Sequence, residues 1–191
     1  MPGRITGATS SSWKRFFIDS GAIYFNYGEA DEQKIGATQE GTTFTLEQEL
    51  RMPEIDGHRA PVLNTRRVIS ETARISGGIL EMTSYNLYRI LTGSEVTSDA
   101  SYNITKRVSD LPNLDQYIQN VALVGRNQAD GEPYVFLIFN GLNDGGFEME
   151  TSDENEATLG VQFTGHTPID DPDSSPFEIR TPQAIDVENV T

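Results

Sequence analysis

The chain has no cysteine, a single tryptophan, two histidines and no long apolar run. The missing cysteines exclude disulfides, thiolate zinc sites and a cysteine nucleophile. The longest apolar run, Tyr134 to Phe139, is far shorter than the roughly 18 residues that a membrane helix needs. Met1-Pro2-Gly3-Arg4-Ile5-Thr6-Gly7 contains no apolar h-region. A secretory signal is therefore not expected, and the protein is expected to be made and kept in a cytoplasm, or released by lysis. Basic residues are scarce: 14 Lys and Arg face 29 Asp and Glu, for a formal net charge of −15. Such a chain is poorly suited to gripping phosphate backbones by counter-charge. It remains compatible with work beside DNA.

The acidity is unevenly placed. Residues 1–127 hold 13 basic and 15 acidic side chains, whereas residues 128–191 hold one basic residue, Arg180, and 14 acidic ones. Asymmetry of this kind marks a disordered tail or a surface that repels something negative. At 191 residues the length fits one domain with arms.

Residues 1–12 are rich in Gly, Ser and Thr and read as a flexible N-terminal arm. Phe16 to Tyr27 is aromatic and β-branched and reads as a strand. Gly28 to Gly41 is polar, without periodicity, and reads as a long functional loop. Thr42 to Glu54 alternates: Phe44, Leu46, Leu50 and Met52 share one face, and Thr43, Thr45, Glu47, Glu49 and Arg51 the other, as in a half-buried strand. Arg66 to Leu80 is a second long strand, with a bulge or bend expected at Gly77-Gly78. Residues 83–92 form the one good helix, capped by Thr83 or Ser84 and stopped at Gly93. Residues 94–115 read as a polar excursion around a strand at Tyr102 to Val108. Tyr117 to Gly125 and Pro133 to Asn140 read as a hairpin. Phe147 to Thr151, Ala157 to Thr167 and Phe177 to Arg180 complete roughly eight strands, and 181–191 is an acidic tail. The pattern predicts a mainly β protein, a sandwich or barrel with one flanking α-helix.

Catalytic signals are weak. There is no Gly-x-Gly-x-x-Gly, phosphate loop or Gly-x-Ser-x-Gly elbow. His58 and His166 lack His or Cys neighbours and read as ordinary residues in a turn and a strand end. Asp170-Asp171-Pro172-Asp173 with Glu178 offers hard oxygens, but the spacing misses an EF-hand loop and aspartate before proline is common turn chemistry. Glu148, Glu150, Asp153, Glu154 and Glu156 read as a charged surface rather than a general acid and base, which would need an apolar pocket to split their pKa values. Arg59, Arg66, Arg67 and Arg74 form a basic segment without the interleaved aromatics of a nucleic-acid platform. They read better as a counter-face for the acidic last third, in the same subunit or a neighbour. The chain is expected to be no enzyme, with no cofactor and no metal.

Several stretches, in order, resemble the major tail tube proteins of long-tailed, siphovirus-type bacteriophages. They are Phe17-Ile18-Asp19-Ser20-Gly21-Ala22-Ile23-Tyr24-Phe25-Asn26-Tyr27-Gly28, Ile35-Gly36-Ala37-Thr38, Gly41 to Glu49, Ile55-Asp56-Gly57, Asn120 to Gly125, Leu142-Asn143-Asp144-Gly145, Asp153 to Ala157, Phe163-Thr164-Gly165-His166 and Pro176 to Arg180. The likeness spans roughly residues 15–180 and leaves out both arms. It implies a ring-forming β-sandwich at 13–180, with six subunits per ring and inner strands closing a barrel around a channel. Rings would stack into a virion tail tube, assembled in the host cytoplasm, through which double-stranded DNA leaves the capsid without specific binding.

On that resemblance, candidate channel-facing residues are the polar faces of the alternating strands, Thr43, Thr45, Glu47 and Glu49 with Glu148 and Glu150; the competing reading puts either set on the outer wall. Candidate inter-subunit residues are Trp13 beside the arm, Glu29, Asp31 and Lys34 in the 28–41 loop, and Arg59, Arg66 and Arg67. Expected partners are further copies of the chain, a tape measure protein, a tail terminator and baseplate or distal tail proteins, with no membrane. Two alternatives stand beside it. One is another ring-forming virion or secretion-tube component such as a tail terminator. The other is a soluble ligand-binding β-sandwich, for instance carbohydrate-binding, which requires exposed aromatics on one face.

Overall fold

Strands dominate because alternation and β-branched residues recur along the chain. The structure, a computed structural model, describes residues 13, 16, 17, 21–128, 130–151 and 156–182. The expected arm at 1–12, most of the expected tail at 181–191, and Asp153 and Glu154 lie outside the described residues. The elements are β1 (Ala22–Phe25), β2 (Gln33–Lys34), β3 (Thr38–Arg51), β4 (Arg67–Ile79), α1 (Ser84–Ile90), β5 (Ser94–Ser98), β6 (Asn103–Arg107), β7 (Ile118–Arg126), β8 (Pro133–Asn143), β9 (Glu148–Glu150), β10 (Thr158–Thr164) and β11 (Phe177–Arg180).

Nine strands form one sheet in the order β2-β1-β7-β8-β10-β4-β3, with β11 beside β8 and β9 beside β10. The sheet folds over at β8. Its first part pairs with β7 and with β11, and its last residues, Leu142 and Asn143, pair with Thr164 and Phe163 of β10. Asn140 lies between the two parts at φ +47°, a left-handed conformation that Asn tolerates better than most residues. Its amide donates to the His166 carbonyl at 3.0 Å.

The two halves face each other across one core. Ile23, Phe25, Val121, Leu123 and Ile138 meet Ala73, Ile75, Ile79, Leu159, Val161 and Phe163, with Phe44, Leu46 and Phe136 packed at the margin. Phe25 meets Phe163 edge to face at 5.3 Å. The outcome is the mainly β sandwich with one flanking helix that the alternation predicts.

Helix α1 closes one end of the core. Thr83 caps it, its hydroxyl accepting from the Asn86 N–H, and Ile90 is buried. Gly93 follows at φ +74°, where a Cβ would meet the Ser109 carbonyl at 2.4 Å. Three buried amides tie the helix down. Asn86 Nδ2 donates to the Ile35 and Glu81 carbonyls, each at 2.9 Å. Gln116 Nε2 donates to the Tyr88 and Leu91 carbonyls, and its Oε1 accepts from the Gly93 N–H. Asn143 Nδ2 donates to the Ile90 and Gly146 carbonyls at 2.9 Å while its Oδ1 accepts from the Gln162 N–H at 2.8 Å.

Several sequence expectations need correction. The stretch 28–41 is not one loop. A turn closed by Asn26–Asp31 and Gly28–Glu32 hydrogen bonds leads into β2, Ile35 is buried, and β3 starts at Thr38. The excursion 94–115 contains a hairpin, β5–β6, so the described strands number eleven rather than eight. The bulge expected at Gly77-Gly78 falls on the opposite strand: the register shifts between Gln39 and Thr42.

Asn143→Ala removes one buried hydrogen bond, to the Ile90 carbonyl, and two part-buried ones, to the Gly146 carbonyl and from the Gln162 N–H; a buried group left unsatisfied costs about 1–3 kcal/mol. The expected loss is about 2–3 kcal/mol in urea unfolding. Gln162→Ala, which keeps the backbone N–H, should cost under about 1 kcal/mol.

Candidate assembly surface

Cross-strand register decides which side chains share a face, because side chains directly opposite each other project to the same side. Thr43, Thr45 and Glu47 of β3 stand opposite Ser76, Arg74 and Thr72 of β4. Ser76 and Gly78 stand opposite Gln162 and Gly160 of β10, and Gly160 and Thr158 stand opposite Glu148 and Glu150 of β9. The two sequence-predicted sets, Thr43, Thr45, Glu47 and Glu49 with Glu148 and Glu150, therefore lie on one outward face of a single half-sheet. The glutamates, Thr43 and Thr45 are exposed. Pro and large apolar residues are absent from this face over Thr43–Glu49 and the residues opposite.

One cation sits within the acidic stretch. Arg74 donates to Glu47 Oε2 at 2.7 Å. That hydrogen bond holds the guanidinium pKa above its ordinary value, with a further contribution from the charge of Asp144. Arg74 thus pairs first with an acid of its own face, Glu47, and also feels the charge of Asp144 in the last third of the chain.

The hairpin β3–β4 outruns the core. Phe44 and Leu46 pack inward, but Leu50 and Val68, paired on the same side, are 52% and 51% exposed. Met52 and Ile69 are also exposed. Ile69 is the extra residue of a bulge between the Glu49–Ser70 and Leu50–Val68 pairs, which bends a strand and increases its twist. The alternation assigned Leu50 and Met52 to a buried face. Leu50 does lie on that face, but the opposing half-sheet does not extend far enough to cover it, and Met52 lies beyond the end of β3.

Arginines gather at this end. Arg51 stands directly opposite Arg67, an arrangement that is unfavourable without an anion nearby. Arg66 precedes it, and Arg59 lies in the connection 52–66, all exposed. Among the described residues the ion pairs are Arg74–Glu47, Arg107–Asp110 and Arg180–Glu178, so Arg51, Arg59, Arg66 and Arg67 have no carboxylate partner among the described residues. Arg51 escaped notice in the sequence because its opposition to Arg67 depends on register and a bulge.

The other inter-subunit candidates are dispersed. Trp13 is exposed. Asp31 accepts from Asn26 Nδ2 within its own turn, and Glu29 accepts from Gln119 Nε2 of β7, tying the turn to that strand. Lys34 is exposed on β2 at the far edge of the sheet. His166 stacks edge-on against Tyr117 at 5.4 Å, with Nδ1 3.1 Å from the Asn140 carbonyl, which gives it a structural place at the strand corner. Among the described residues no group of three or more His, Asp or Glu is placed to hold a metal ion. Ser84, Tyr85, Tyr88, Glu95 and Val96 line an open groove of about 450 Å³ beside α1. The Arg89 guanidinium already lies 5.2 Å and 5.8 Å from the centres of the two tyrosine rings, so the groove lacks the open aromatic platform of a sugar site.

No family model matches the chain, and no curated protein matches it. Solved structures with a similar course include a chain of the virion of a native gene transfer agent particle, at 12% identity and a TM-score of 0.43, covering 85% of this chain and 96% of that one. A chain of the tail of an empty gene transfer agent particle with C6 symmetry has 12% identity and a TM-score of 0.44, with the same coverage. A chain of the six-fold symmetrised baseplate of the anti-feeding prophage has 13% identity and a TM-score of 0.41, covering 92% and 96%. At these scores and identities the likeness carries no functional inference.

Side chains that fold the subunit and side chains that serve its surface should separate in a denaturation experiment. Leu50→Ser and Val68→Ser should each change the unfolding free energy of the isolated chain by less than about 1 kcal/mol. Ile75→Ala, in the closed part of the same hairpin, should cost about 2–5 kcal/mol.

Proposed function

We propose that this chain is a structural subunit of a virion tail, a tail tube protein that polymerises as stacked six-fold rings into a conduit for double-stranded DNA. The single observation that carries the reading is the half-sheet β9-β10-β4-β3. It ends on one side in β3, a 14-residue strand with one described neighbour, and on the other in the three-residue β9. A long unpaired edge is an aggregation hazard unless something covers it, and closing subunits edge to edge into a ring removes it. The resemblance of the sequence to tail tube proteins supports the same reading.

The outward face of that half-sheet then becomes the channel wall, with Thr43, Thr45, Glu47, Glu49, Glu148 and Glu150 toward the lumen. A wall of short hydroxyls and carboxylates repels phosphates at short range. DNA therefore passes without being held. The role is mechanical, and tape measure, terminator and distal tail proteins are the expected partners at the tube's interior and ends.

Cryo-microscopy of assembled protein tests the reading. Stacked six-fold rings with β3 against a neighbour's β9 or β8 are the expected result, and assemblies without a through-channel contradict it. Replacing Glu47 and Glu49 by Gln should make assembled tubes retain duplex DNA at low ionic strength, whereas wild-type tubes should not. Equal retention by both would remove the electrostatic part of the account.

A further inference from the structure

The polar face of the half-sheet carries Arg51 and Arg67, next to Glu49, at one end of its strands, and Glu148 and Glu150, without a cation among the described residues, at the other. Glu148 and Glu150 lie across from Gly160 and Thr158, and Gly160 lies across from Gly78 near one end of β4. Arg67 begins the same strand at the other end, opposite Arg51. From Gly78 to Arg67 the separation is about 35 Å at ~3.3 Å per residue. Both groups sit on the same rigid sheet, so no side-chain movement lets the arginines of a chain reach its own Glu148 and Glu150.

The core-facing layer is arranged the same way. Beyond the core at the arginine end lie exposed Leu50, Val68 and Ile69. At the glutamate end lie Phe147 and Met149, each 46% exposed, and Met149 shares the side of its partner Leu159. Each end therefore presents an exposed aliphatic or aromatic layer beneath a charged layer, and the two charged layers are of opposite sign.

We infer that successive copies meet head to tail along the strand direction, with Arg51 and Arg67 of one copy against Glu148 and Glu150 of the next. Arg66 and Arg59 flank this contact, and Leu50, Val68 and Ile69 cover Phe147 and Met149. The inference rests on the stacked-ring reading and assigns the ring-to-ring contact its residues. The unlike ends make the contact heterologous, and a heterologous contact without rotational closure extends indefinitely. The Arg51–Arg67 pair, unfavourable in the free chain, gains two carboxylates in the assembly, and the paired charges fix which way round a ring is added.

Charge reversal tests the inference. Arg51→Glu with Arg67→Glu should raise the protein concentration needed for tube growth by at least about tenfold, and Glu148→Lys with Glu150→Lys should do the same. The chain carrying all four changes should grow tubes again, because its ends are once more unlike. Circular dichroism and the unfolding midpoint of each variant check that the exposed substitutions leave the fold intact. Should either double variant misfold, Arg51→Gln with Arg67→Gln is read in its place and should still shift the threshold upward. Tubes that form at wild-type concentrations in the folded double variants overturn the inference and leave the stacked-ring reading standing, as does a quadruple variant that folds but does not recover. Growth that stops at pairs indicates antiparallel docking and also overturns it. Wild-type protein that forms no rings at any concentration removes the reading beneath.

Discussion

Backbone N–H and C=O groups at a sheet edge must be satisfied by water, by a cover or by another strand, and β3 is where this constraint acts on the present fold. The strand is 14 residues long and pairs with β4 along one side. Nothing among the described strands takes the other side; no proline or lysine interrupts the strand, and its edge protection comes from Glu47, Glu49, Arg51 and the bulge between Gln39 and Thr42. Its outward face cannot pack against a second sheet, because Thr43, Thr45, Glu47 and Glu49 would be stripped of water with too few partners. Its inward face is covered only as far as Leu46. A subunit built this way is incomplete alone in two directions, sideways at the strand edge and lengthwise at the hairpin end.

The rest of the fold holds that edge in place. Strand β8 belongs to both half-sheets, and the corner it makes is locked by Asn140 and Asn143. Asn143 also fixes the end of α1, so the helix, the corner and β10 move as one unit. Gly78 lets β3 and β10 approach β4 closely: a Cβ there would sit 2.5 Å from Thr158 Cγ2 and 3.0 Å from the Gln39 carbonyl. The polar face is thus a rigid plate rather than a flexible loop, which suits a role in which the same contact recurs many times.

The strands with strong alternation were legible in the sequence. Thr42 to Glu54, Pro133 to Asn140 and Phe177 to Arg180 all fall within strands or overlap them closely, and α1 announced itself through the Thr83 cap and the Gly93 stop. β5 did not, because Ser94-Glu95-Val96-Thr97-Ser98 has one apolar residue and pairs only with β6. A signal was nonetheless present in Asp99, whose carboxylate accepts the Ser101 and Tyr102 N–H groups and is held below its ordinary pKa by them. That is the turn of a hairpin. The common face of β3 and β9 was legible only as two separate polar alternations; that they share one sheet depends on β10 lying between β9 and β4. The opposition of Arg51 to Arg67, and the exposure of Leu50 and Val68, come from a bulge and from the length of the facing half-sheet, neither of which periodicity encodes.

Hydrogen exchange along β3 tests the central claim most directly, because it reads the backbone edge itself. In the isolated chain the outward-edge amides of alternate β3 residues should exchange rapidly while those bonded to β4 are protected. On assembly the exposed set should become protected as well. Assemblies that form while those amides continue to exchange at the rates of the isolated chain would contradict the account.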